Sequence, residues 1–150
     1  MDLHHPLIVH FPIALLLTGV LFDLVGTALD REKFLWSGYM LLLLGATTAI
    51  AAALTGNSAA VPASDIPGIM DDLDLHERLG SAVAWVAVLL SLFRTHLQAR
   101  RRFHGKLRLI YLAVALGMAG LVCGSSYTGG LLVRDFGAGT VLSVPDASEP

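Results

Sequence analysis

Four apolar stretches, each about as long as a bilayer is thick, dominate this chain. A helix needs about 20 such residues to cross the hydrocarbon core. No water is available there to satisfy the backbone, so each stretch must bond to itself as a helix. The first runs over about residues 6–29 and carries one formal charge, Asp23. The second, about 34–55, carries none. The third, about 75–97, has Arg94 near its end, placed to snorkel to the interface. The fourth, about 107–130, is uncharged from Leu109 to Val133, and Gly129-Gly130 are expected to end it. Charged residues are 15% of the chain, against roughly 25% in a soluble domain, and the mean hydropathy is +0.68. The fold expected is an all-α, integral membrane four-helix bundle over residues 1–135, followed by a short C-terminal tail, 136–150.

Loop charges give the expected orientation. The first loop holds Arg31 and Lys33, and the third holds Arg100, Arg101, Arg102, Lys106 and Arg108. The second, 56–74, holds no Lys or Arg but has Asp65, Asp71, Asp72 and Asp74. Basic loops stay in the cytoplasm, which puts both termini and the acidic loop on the outer, periplasmic side of a bacterial inner membrane. Trp36, Tyr39 and Tyr111 suit an aromatic belt at the inner helix ends.

Local signals refine the ends. Pro6 suits the first turn of helix 1, while Pro12 either kinks that helix or starts it afresh. Asp74 and Glu77 read as a capping box for helix 3. Gly120 and Gly124 on helix 4, and Ala49 and Ala53 on helix 2, offer close helix approach. Asp2 stands where a secretory signal would be basic, so the first stretch reads as a retained span. An intramembrane carboxylate such as Asp23 is costly; a structural partner is expected in Arg94, Thr18 or Thr47.

Several function classes are excluded. A net charge of −2 offers no basic field for nucleic acid. Cys123 is the only cysteine, so no internal disulfide forms, and no C-x-x-C-H motif exists for covalent haem. Ser125 and Ser126 lie in an apolar run with no recognisable triad, so no hydrolytic or transferase site is expected.

Histidine carries the remaining chemistry. The expected orientation puts His4, His5, His10 and His76 at the outer face and His96 and His104 at the basic inner face. His5 and His10 are five apart, which turns them about 140° from each other on a helix. A pair from different helices is therefore simpler: His10 on helix 1 and His76 on helix 3, with His5 as a substitute. Such a pair could clamp a haem iron. Gly80, one turn after His76, would admit a flat macrocycle. Arg78 and Arg134 could pair with propionates, and Tyr127, Thr128, Thr55 and Asn57 bring polar groups to the same level.

The opening His-Pro-Leu-Ile-Val-His-Phe-Pro-Ile-Ala-Leu (His5 to Leu15), Asp23, His76, and Tyr127-Thr-Gly-Gly-Leu-Leu-Val (to Val133) resemble the bacterial membrane proteins grouped as domain of unknown function 2231. The resemblance covers almost the whole chain. It implies a four-helix inner-membrane module, related to modules joined to cytochrome or Rieske-type redox domains, with His5, His10, His76 and Tyr127 as its motif positions. This chain has no redox domain of its own, so electron transfer would need a separate membrane or periplasmic partner.

Three functions follow as expectations. The first is a b-type haem-binding electron-transfer subunit, and electron transfer is the most that could be expected of it as an enzyme. The second is a non-haem protein holding zinc, copper or iron directly on His4, His5, His10 and His76. The third is a non-catalytic assembly subunit with no cofactor. A homo-oligomer is compatible with each.

Overall fold

The computed structural model describes residues 8–138, apart from the side chain of Pro62. Its helices are α1 (His10–Ala28), α2 (Glu32–Ala63), α3 (Met70–Ala99) and α4 (Gly105–Phe136). All four are long and apolar enough to span a membrane. The short connections 29–31, 64–69 and 100–104 make consecutive helices antiparallel neighbours. The bundle closes as a ring: α1 packs on α2 and α4, and α3 packs on the same two helices. Its core gathers Leu16, Val20, Leu42, Ala46, Ala87, Ala115, Met118 and Val122. Leu21, Leu44, Leu54, Trp85, Leu89, Leu92 and Leu109 are exposed on the outside of the ring. A bundle apolar both inside and outside is one solvated by lipid.

The helix ends differ from those the apolar runs indicate. Helix α2 continues past Thr55 to Ala63, and α3 starts at Met70 rather than near Leu75, so the long second loop shrinks to 64–69. A span's apolarity stops where lipid stops, but its hydrogen-bond ladder need not. At about 1.5 Å per residue, a helix of 32 residues outreaches the hydrocarbon core. Asp71 and Asp72 thereby fall in the first turn of α3, where negative charge favours the helix dipole. The expected capping box does not form. Ile69 is the N-cap without a side-chain bond, and Asp74 instead pairs with Arg78 at 2.9 Å. Helix α4 passes through Gly129-Gly130 and stops at Gly137, whose left-handed φ of 64° closes it with a bond to Val133. Helix α4 thus ends at Phe136, and residues 139–150 of the expected tail lie outside the described part. Pro12 starts a helix afresh: Val9 is a turn residue, and Pro12 sits in the first turn of α1, where its missing N–H costs nothing.

Close packing also sits elsewhere than expected. A Cβ at Gly120 would meet nothing within 4 Å, and one at Gly124 only Leu79 at 3.9 Å. The tight contact is between α1 and α2. A Cβ on Gly26 would fall 2.8 Å from the Leu35 nitrogen, and one on Gly38 would fall 2.6 Å from Asp23 Oδ1. Gly19 and Gly45 lie on the same seam, facing Leu41 and Leu16. The expected aromatic belt is partly turned inward: Trp36 is exposed, whereas Tyr39 and Tyr111 are buried.

Overpacking of the seam supplies a test. Gly26→Ala should lower stability by about 1–3 kcal/mol, because the clash is with backbone. Gly120→Ala should leave it unchanged or raise it by up to about 1 kcal/mol. Denaturant unfolding in detergent micelles distinguishes the two.

Candidate functional site

The end of the bundle that carries the 64–69 connection contains a cavity of about 700 Å³, within the range of small-molecule and cofactor sites. All four helices line it. Its walls are mostly apolar or small: Ile13 and Leu16 from α1, Ala52 and Ala53 from α2, Val83 from α3, Val122 from α4. Its polar groups include His10, His76, Glu77, Ser125 and Arg134.

His76 is the most constrained of these. Its Nδ1 lies 3.1 Å from the Ser125 carbonyl and 3.1 Å from Thr128 Oγ1. A carbonyl only accepts, so Nδ1 carries the hydrogen, and in the neutral ring Nε2 keeps its lone pair. The Thr128 hydroxyl donates to the same carbonyl at 3.0 Å. The ring lies against α4 because Gly129 has no side chain: a Cβ there would sit 2.9 Å from His76 Cε1. This pattern, one ring nitrogen donating to a backbone carbonyl and the other left as a base, is the one that orients histidine ligands.

The other expected site residues divide clearly. His10 is exposed and lines the same cavity as His76. Gly80 lines it too, and a Cβ there would meet only Ser125 Oγ, at 3.9 Å. Arg134 lines it while bonding Asp135 at 2.7 Å. Arg78 is bound to Asp74 on the exposed face of α3 and does not line the cavity. Tyr127 is 69% exposed and does not line the cavity. His5, like His4, lies outside the described residues. Among the described residues, no group of three or more His, Cys, Asp or Glu could hold a metal ion.

Sequence reasoning missed the roles of Ser125, Thr128 and Gly129. Their i, i+3, i+4 spacing places them on one helix face, opposite Tyr127. That signal was hidden by ending helix 4 at the glycine pair.

The other end of the bundle is closed by a buried charge network. Asp23 and Arg94 are each 1% exposed, with Arg94 Nη2 3.7 Å from Asp23 Oδ1. The Tyr111 hydroxyl donates to Asp23 Oδ2 at 2.6 Å, and Arg94 donates to the Leu35 carbonyl at 3.0 Å. The Phe103 ring caps the guanidinium, 2.9 Å from its carbon to the ring centroid. Of the partners considered for Asp23, Arg94 holds, while Thr47 bonds the Leu44 carbonyl of its own helix. Removing one member strands the others. Asp23→Ala should cost about 3–5 kcal/mol, and Tyr111→Phe about 1.5–3 kcal/mol, in unfolding titrations of the micellar protein.

The profile of the family described as "Predicted membrane protein (DUF2231)" matches residues 3–142. No curated protein and no solved structure matches the chain.

Proposed function

We propose, from the premise that the chain belongs to the DUF2231 family of predicted membrane proteins, that it is a b-type haem-binding electron-transfer module of the bacterial inner membrane. One observation carries the reading. Two imidazoles from different helices, His10 and His76, line a single apolar cavity, and one of them is oriented by a bond from Nδ1 to a backbone carbonyl.

The residues present fit such a group. His76 and His10 would hold the iron, with His5 as the alternative to His10. The small side chains of α2 and Gly80 leave room for a flat ring, and Arg134 would meet a propionate. Haem when bound supplies one-electron chemistry. The chain supplies an apolar enclosure and an orienting hydrogen bond, which are the levers that set a redox site's properties. Electrons would pass to or from a separate membrane or periplasmic redox protein. The expected topology, with both termini outside, agrees with this arrangement. Arg31, Lys33 and the basic 100–108 segment lie at the end away from the cavity, which is the cytoplasmic end by the positive-inside rule.

The test is an optical spectrum. Protein purified from cells supplied with haem precursor should show a Soret band that His76→Ala abolishes and His10→Ala alters. A protein with no Soret band, before or after adding haem, overturns the reading. Elemental analysis of the same samples then separates the remaining two. Zinc, copper or iron lost on combining the two substitutions marks a bare-metal protein; no metal in either form marks an assembly subunit.

A further inference from the structure

The basic end of the bundle holds a second cavity, of about 920 Å³, between the start of α2, the end of α3 and the start of α4. It is unlike the first in its chemistry. Lys33, Arg94, Arg101, Arg108 and His104 line it. Asp30 and Glu32 line it as well, and Asp30 is already engaged, 3.6 Å from Arg108. Among the described residues, Lys33 and Arg101 have no carboxylate within ion-pair distance.

Two further observations point to an anion. Arg94 is 1% exposed, yet its Nε and Nη1 have no hydrogen-bond partner. Its Coulombic partner Asp23 is shared with Tyr111 and sits at 3.7 Å, so the guanidinium is incompletely neutralised. Both α2 and α4 also begin here, and their N-cap residues, Arg31 and His104, make no side-chain capping bond. First-turn N–H groups at a helix start favour anions. Excess positive charge, unmet guanidinium donors and the uncapped start of α2 thus meet at one cavity. Trp36, exposed beside it, is a residue type that sits at headgroup depth.

We infer that this cavity binds a phosphate group, supplied either by the headgroup of an anionic lipid or by free phosphate. Arginine suits it as a planar, multiply donating phosphate ligand, and basic pockets between spanning helices are the expected seat of anionic headgroups. The inference is independent of any cofactor at the opposite end.

The full chain in detergent is the material for the test. Native mass spectrometry in mixed micelles measures retention of phosphatidylglycerol against phosphatidylcholine of the same acyl chains. Thermal unfolding is followed in parallel against inorganic phosphate, with chloride at equal ionic strength as control. Wild type should retain phosphatidylglycerol about tenfold better than phosphatidylcholine, and the R101Q/R108Q variant should lose that preference. A headgroup site gives lipid preference without stabilisation by inorganic phosphate. A free-phosphate site gives saturable stabilisation, absent in R101Q/R108Q, without lipid preference. Both variant positions leave the Asp23–Arg94 pair intact, and Lys33→Gln on the exposed start of α2 repeats the comparison if the double variant does not fold. Equal retention of the two lipids with no phosphate effect overturns the inference. So does a preference that survives both R101Q/R108Q and Lys33→Gln.

Discussion

A carboxylate and a guanidinium buried together at one end of the bundle connect all four helices. Asp23 comes from α1, Tyr111 from α4, Arg94 from α3, and the Leu35 carbonyl from α2. Burying either charge alone in so apolar a chain would cost several kcal/mol. The helices are therefore held to an arrangement in which the two charges face each other. The glycine seam makes that arrangement possible, because a Cβ on Gly38 would occupy the space Asp23 uses. Packing and electrostatics are thus one constraint here: the backbones of α1 and α2 come close so that the carboxylate can turn inward.

The two ends of the bundle follow different physics. At the basic end, aromatic rings and the buried ion pair close the core, with Phe103 over Arg94 and Tyr111 against Phe103. At the opposite end small residues replace large ones. A cavity forms there instead of a core. His76 lines it, held by α4 through a backbone carbonyl and a hydroxyl.

Much of this was legible in residue order, and the parts that were not share a cause. Hydropathy marks where lipid begins and ends, so helix number and order could be read directly. Helix ends could not, because Gly56 to Ala63 and Met70 to Leu73 continue the ladder after apolarity fades. Asp23 stood out as needing a partner, but choosing Arg94 over a threonine required knowing which faces meet. Tyr39 and Tyr111 illustrate the same limit. A tyrosine near a helix end serves an interface belt or a buried hydrogen bond equally well, and only packing turned these two inward. At the candidate site, His10 and His76 were matched in depth by topology alone. Thr128 was placed at that level as well, but its bond to His76 and the parts of Ser125 and Gly129 emerged only when α4 proved continuous.

The sequence by itself determined the helical spans, their up-and-down order and the segregation of basic loops to one end. These depend on the free energy of moving apolar and charged groups between water and lipid, a property of each segment taken alone. Tertiary structure alone decided which glycines form the close seam, which partner neutralises Asp23, how the His76 ring is turned, and that both ends hold cavities of opposite character. Those depend on the rotation of each helix about its own axis. In a bundle apolar on every face, no hydrophobic stripe records that rotation, and only the packing of specific side chains against one another sets it.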